Sequence, residues 1–190
     1  MPSSTFLNLP KEKRVRILRA AKKEFSRVPV EKAVIANIVK DAKIPRGSFY
    51  QYFDNINDLF FYLIDYMYGL DKNQYEHYLS ECNGDVYEAM KLKFSSMVDK
   101  LMISENRQFR INVAQMMYNS SRNSVSSDND FLRLYYFPEE TGKNSQLINL
   151  LNLVTKSTIT SFITNTENPN QIKDDYNKTI DYVKNGLVHA

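Results

Sequence analysis

The chain has 190 residues and a mass of 22.2 kDa, room for one generous domain or two small ones. A hydrophobic share of 43% argues against a disordered chain, and only 5 Gly and 6 Pro argue against a turn-rich β fold. The single cysteine, Cys82, excludes an intramolecular disulfide and a multi-cysteine zinc site, and the net charge of +3 singles out no partner.

Taken in order, the predicted elements are helices. From Pro10 to Arg27 the apolar residues Val15, Ile17, Leu18, Ala21 and Phe25 recur mostly at spacings of three and four, one stripe of an amphipathic helix broken at Pro29. A second short stripe, Ile35, Ile38, Val39 and Ala42, lies within Val34 to Lys43. Pro45-Arg46-Gly47 interrupts it, and Arg46 to Tyr52 forms a third short helix with Phe49 and Phe53 turned inward. Asn55 then caps a long fourth helix, with Asp58 placed to reach back in a capping-box-like arrangement. Further helices are expected over Asp85 to Ile103, Arg107 to Asn119 and Asn144 to Phe162. Ser120 to Asp130 is a loop or frayed helix end, and Phe131 to Phe137 a helical turn ended by Pro138. Asn168-Pro169 opens the last helix. No alternating run is long enough for a sheet, so the fold class is all-α, with about nine helices.

The longest stretch without a charge, Asn144 to Thr155, has twelve residues, whereas a membrane-spanning helix needs roughly 20. Met1 to Pro10 has no basic n-region or apolar h-region. With one free cysteine, these features give a cytoplasmic protein with no membrane partner as the expectation.

The modest net charge hides a division. Residues 1–53 hold 12 basic and 4 acidic residues, a balance of +8, and residues 54–190 carry −5. A basic module therefore precedes a mildly acidic one, which points to a polyanion as the partner of the first.

Helix, short helix, tight turn and short helix on a basic background are the parts of a helix-turn-helix reader of DNA. The start of the second helix of the pair must reach base edges, and here it is Arg46, Gly47 and Ser48. Arg46 can bond guanine O6 and N7 together, Gly47 permits close backbone approach, and the Ser48 hydroxyl suits a base or a phosphate. Tyr50, Gln51 and Tyr52 carry polar tips with the same reach. At this point the sequence resembles the TetR family of bacterial transcriptional regulators. The resemblance rests on Arg16-Ile17-Leu18-Arg19-Ala20-Ala21, Phe25, Ile35 to Ala42, Leu59 and most strongly Ile44-Pro45-Arg46-Gly47-Ser48-Phe49-Tyr50-Gln51-Tyr52-Phe53. It covers about residues 10–65. It implies a DNA-binding domain at 1–53, with the helix-turn-helix at about 33–52, and an effector-binding and dimerisation domain at 54–190. DNA contacts are expected from Asn37, Lys43, Arg46, Gly47, Ser48, Tyr50, Gln51 and Tyr52. The chain departs from the family pattern in having Pro29 and Lys43 where Gly is usual, Ala33 and Val34 where Thr is usual, and Ile56 where a phosphate-contacting Lys is common.

For the remainder, the resemblance implies a helical bundle that binds a small-molecule effector and forms a homodimer. Six of seven Met fall between Met67 and Met117, interleaved with aromatics. Such residues fill cores or line adaptable apolar cavities. The expected effector set is Met67, Phe94, Met97, Met116, Met117 and Tyr118. The helix after Asn144 is apolar over a wide arc, from Leu147 and Leu150 to Phe162 and Ile163, which suggests a second buried face. The expected dimer interface is Leu147, Leu151, Val154, Phe162, Ile172, Tyr176, Ile180 and Val183. His77 and His189 leave open a haem- or metal-responsive regulator of the same fold, and Lys43 and Ile56 a protein-interaction adaptor impaired in DNA binding. No constellation with catalytic spacing is present, so the chain is not expected to be an enzyme, nor to require a cofactor. The leading expectation is a DNA-binding repressor released from a palindromic double-stranded operator by an apolar or aromatic effector.

Overall fold

The computed structural model describes residues 1–121, 136–139, 145–164 and 168–186, with the side chains of all of these but 114–121 and 164. Its described residues form nine α-helices and one 3-10 turn, and no strand. The helices are α1 (Ser4–Leu7), α2 (Lys11–Arg27), α3 (Ile35–Asp41), α4 (Arg46–Tyr52), α5 (Ile56–Glu81), α6 (Val86–Met102), α7 (Ser104–Ser121), α8 (Ser145–Thr164) and α9 (Pro169–Asn185). None of them is long and apolar enough to cross a membrane.

The helices predicted from periodicity form close to their expected ends, and the caps explain where several begin. Asn55 Oδ1 accepts the N–H of Asp58 at 3.0 Å. Asp85 accepts from Tyr87 and Glu88 at the start of α6, and Asn168 accepts from Asn170 and Gln171 with Pro169 in the first turn of α9. Two elements were not expected: α1, and the 3-10 turn Val30–Lys32 after Pro29. Both span only about one turn, too little for an apolar spacing to recur, so periodicity cannot reveal them. The helical turn expected over Phe131 to Phe137 is corrected at its end, because Tyr136 and Phe137 are not helical. The Tyr136 N–H is spent instead on the carboxylate of Asp71, at 2.8 Å. Residues 131–135 lie outside the described residues. The loop expected over Ser120 to Asp130 begins inside α7, which runs to Ser121, and the rest of it also lies outside them.

The chain divides into two compact units. Among the described residues the first holds 1–68 and 108–121, and the second holds 69–107, 136–139, 145–164 and 168–186.

In the first unit α2, α3, α4 and the start of α5 enclose one core. Ile17, Ala21, Phe25, Ile38, Ala42, Phe49, Phe53, Leu59 and Phe60 are each at most 2% exposed. Phe25 meets Phe60 edge-on with centroids 5.3 Å apart. Phe109 and Val113 of α7 complete this core. Asn112 of α7 donates to the carbonyls of Phe25 and Ser26, satisfying two otherwise unpaired groups at the end of α2.

In the second unit α6 packs against α8 and α9. Met90, Phe94, Met97, Val98, Leu151, Ile159, Phe162, Tyr176 and Ile180 are fully buried there. Phe94 stacks on Tyr176 with centroids 3.9 Å apart. The Tyr176 hydroxyl is 2.7 Å from Thr155 Oγ1, so the polar tip of this buried ring is paired. Burial raises its pKa far above the ordinary tyrosine value. A buried ion pair joins Lys93 of α6 to Asp71 of α5, and Asp71 also receives the Tyr136 N–H.

Candidate nucleic-acid interface

The turn between α3 and α4 follows from its residues. Lys43 has φ 53°, the left-handed conformation that favours Gly. It lies just past the end of α3. The N–H of Lys43 reaches the Lys40 carbonyl at 3.1 Å and that of Ile44 reaches the Val39 carbonyl at 3.0 Å, the two reversed bonds of a Schellman ending. Ile44 is 8% exposed and pins the turn to the core. Pro45 then starts α4 from the extended region, with the Ser48 N–H on its carbonyl. Lys43 therefore holds, at the steric cost of a Cβ, a left-handed conformation that glycine would take freely.

Residues of α2 hold both ends of α3. Val34, the N-cap, has no side chain that can accept. Glu24 of α2 serves instead. It accepts the Val34 N–H at 2.9 Å and the Asn37 amide at 3.1 Å, together with two bonds from Arg27. At the other end Arg16 Nε donates to the Ala42 carbonyl at 2.8 Å. A carboxylate at the helix start and a guanidinium at its end both suit the helix dipole. The bonds from Arg27 above all, with those from Val34 and Asn37, hold the Glu24 carboxyl below its usual pKa against the opposing effect of burial. Sequence reading missed Glu24. The signal was present as a pair: a helix start without a capping residue and an acidic residue inside the preceding apolar stripe.

Buried Phe49 anchors α4 from below and leaves its other side to solvent. Arg46, Gly47, Tyr50 and Gln51 are exposed, as are Asn37 of α3 and Lys43 of the turn, and Ser48 is half-buried. Six of the eight residues expected to meet DNA are thus exposed on one helix-turn-helix unit. A Cβ on Gly47 would meet no atom within 4 Å, so packing within the chain does not demand glycine there. Tyr52 is corrected. It is 4% exposed, with its ring against Phe6 and Lys13 over its face, because it shares the inward side of α4 with Phe49. Ile56, where the family commonly has a lysine, packs against the same core.

The residues expected to bind an effector are not gathered. Met67 packs against the core of the first unit, while Phe94 and Met97 are buried in the second. Met116, Met117 and Tyr118 lie outside the described side chains. A cleft of about 140 Å³ in the first unit is lined by Lys11, Arg14, Val15, Leu18, Tyr62 and Tyr66. A more open one of about 370 Å³ in the second is lined by Asn83 to Tyr87 and Lys184. Neither includes an expected effector residue.

The expected dimer face is corrected in part. Leu151, Phe162, Ile172, Tyr176 and Ile180 are at most 5% exposed within the chain's own second unit, where α6, α8 and α9 pack together. Leu147, Val154 and Val183 are half-buried. The exposed apolar residues of α8 and α9 are Leu150, Leu153 and Tyr182, at 45, 64 and 62%.

His77 is exposed and lies 3.4 Å from Glu81, and no cluster of three metal-ligating side chains occurs among the described residues. His189 lies outside them.

Two short helices joined by a tight turn, with the second resting on an aromatic base and opening a polar, basic side to solvent, define a helix-turn-helix DNA-binding module. Residues 17–63 match the model of the tetR family of bacterial regulatory proteins. The match places the helix-turn-helix module, and not the remainder of the chain, in the DNA-binding part of the TetR family of bacterial transcriptional regulators. No protein with a curated description is significantly similar to the chain. Among solved structures, the fatty acid degradation regulator FadR from Bacillus halodurans is 15% identical with a TM-score of 0.51, over 96% of this chain and 100% of that one, and shows the shared fold. A TetR transcriptional regulator from Rhodococcus sp. RHA1 is 16% identical with a TM-score of 0.49, over 94% and 100%. A TetR family regulator from Chloroflexus aurantiacus J-10-FL is 18% identical with a TM-score of 0.45, over 98% of each chain.

Proposed function

We propose that this DNA-binding regulator is a repressor that binds a palindromic operator as a homodimer and leaves it when an apolar or aromatic small molecule binds. In this reading residues 1–53 carry DNA recognition and residues 54–190 carry effector binding and dimerisation. The protein acts in the cytoplasm and requires no metal or cofactor. The observation that carries the reading is the solvent-facing side of α4, where Arg46, Gly47, Tyr50 and Gln51 are exposed at the end of the basic part of the chain.

Arg46 stands in the first turn of α4 and offers a planar fork that fits guanine O6 and N7. Gly47 lets the backbone approach the groove wall, and Tyr50 and Gln51 lie one turn further along. Asn37 and Lys43 suit phosphates, which fix register without reading sequence. Two-fold symmetry would set two such helices about one DNA turn apart. Exposed Leu150, Leu153 and Tyr182 supply an apolar surface for the second protomer. Release is a shift between two states, and the effector must bind the DNA-incompetent state more tightly to cause it.

The test is selection of duplexes from a random-sequence library at low salt, followed by titration of the selected duplex. Arg46→Ala is expected to weaken binding by ~1–3 kcal/mol and to relax preference at one base pair. Retention of no duplex at low salt would sink the proposal.

A further inference from the structure

The recognition helix ends in the open. The last carbonyls of any α-helix have no partner within it. At the end of α4 the Phe49 carbonyl takes the Phe53 N–H, but those of Gln51 and Tyr52 need donors from elsewhere. Both come from Ser3. Its hydroxyl donates to the Gln51 carbonyl at 2.6 Å, and its backbone N–H donates to the Tyr52 carbonyl at 2.9 Å. The same hydroxyl oxygen accepts the Phe6 N–H at 3.3 Å and so starts α1. One residue thus begins one helix and finishes another.

Phe6, one turn on, is 0% exposed. Its ring lies 4.7 Å from that of Phe53, 5.9 Å from Tyr52 and 5.4 Å from Tyr62, centroid to centroid. Tyr52 belongs to α4, Phe53 follows it directly, and Tyr62 belongs to α5. The ring therefore wedges the end of α4 against α5. Arg14 of α2 donates to the Leu7 carbonyl at 2.8 Å and closes the far end of α1. A four-residue helix has no stability of its own, so these contacts are what hold it. Residues 3–7 lie outside residues 17–63, the part that matches the family model, while Gln51, Tyr52, Phe53 and Tyr62, which they touch, lie within it.

We propose that residues 3–7 are a brace on the recognition helix, with Ser3 and Phe6 as positioning residues that fix the angle at which α4 meets the DNA groove. The proposal rests on the DNA-reading function given above. Displacement of about an ångström at the far end of a two-turn helix would spoil bidentate contacts at its near end. Neither Ser3 nor Phe6 carries a side-chain charge, so the brace governs sequence preference and leaves the phosphate contacts alone.

The experiment compares the full chain with Ser3→Ala, Ser3→Thr and Phe6→Ala. Each is titrated, well below its melting temperature, with a duplex selected by the unaltered protein and with a scrambled duplex. Ser3→Ala is expected to weaken binding of the selected duplex about five-fold, the worth of one neutral hydrogen bond. Phe6→Ala is expected to weaken it more. For both, scrambled-duplex binding and the salt slope stay unchanged, and Ser3→Thr, which keeps the hydroxyl, stays within two-fold of the unaltered protein. Amide hydrogen exchange is measured on the same proteins without DNA, and faster exchange is expected across residues 46–53 in Ser3→Ala. Unchanged exchange there, or an unchanged preference between duplexes, overturns the brace. If the unaltered protein binds no duplex, the functional reading fails and exchange alone decides whether Ser3 and Phe6 restrain α4.

Discussion

Glu24 sits on α2 but serves α3. Its carboxylate, 4% exposed, is tolerable because Arg27, the Val34 N–H and the Asn37 amide all donate to it. The pKa of this carboxyl is lowered in the folded state from an ordinary value of 4.5. A depressed folded value contributes stability above the unfolded pKa and loses it as pH falls through the folded one. Glu24→Gln is therefore expected to lower unfolding free energy by ~1–3 kcal/mol at neutral pH. The gap to the unaltered protein should narrow once pH drops below 4.5. Denaturant melts of both proteins across pH check this, and a gap that stays constant into acid would show that the charge of Glu24 does not matter. Adding Val34→Thr to the Gln variant supplies a local N-cap and should recover about 1 kcal/mol. Val34 has no side-chain acceptor with which to cap α3. Which residue caps it instead depends on the packing of α2 against α3, and no local pattern encodes that.

At the scale of elements, α8 shows how far periodicity reaches. Its wide apolar arc suggested a second buried face, and within the chain α8 packs against both α6 and α9. The arc could not assign each residue to an inner or an outer surface, because a helix in contact with several neighbours has no single polar face. In the fold Leu151 and Phe162 are buried among α8's neighbours, and Leu150 and Leu153 stay outside. Leu151→Ala is expected to cost ~2–5 kcal/mol, as cavity formation does. Leu153→Glu should leave protomer stability within about 0.5 kcal/mol, since the residue is 64% exposed. It should nevertheless shift association toward the monomer in sedimentation at micromolar concentration. Unchanged association would remove this side of α8 from the dimer proposal. By contrast α4 was legible almost residue by residue. It is two turns long with one aromatic base, and exposure simply alternates around it. Tyr52 turns inward, since a ring with a polar tip can serve either side and Phe6 claims it for the inside.

For the whole molecule the division of charge is the main guide. A net charge of +8 over residues 1–53 against −5 over the remainder confines attraction for a polyanion to the first part. Duplex binding is expected to fall steeply with salt, by roughly a thousand-fold between about 50 and 200 mM if about six phosphates are contacted. Fluorescence anisotropy over that range measures the slope, and a nearly flat dependence would contradict a phosphate-anchored complex. The structural units do not follow the charge boundary. The first core continues past Phe53 to Leu59, Phe60 and Leu63, and takes in Phe109 and Val113. Charge is a property of composition along the chain, whereas a core gathers residues that sequence distance separates.

The sequence by itself determined the helical class, the positions of the longer helices, the break at Pro45 and the polar residue types on the solvent side of α4. Each depends on local rules: apolar spacing, caps, and the residue types a turn or a groove accepts. Tertiary structure alone decided that Ser3 closes α4, that Glu24 starts α3, and that Leu151 and Tyr176 belong to the chain's own core. These depend on partners 10 to 48 residues away, or on which of several neighbours reaches an apolar surface first. A single helix does not carry that information, since its free ends and apolar sides specify a need for partners without naming them.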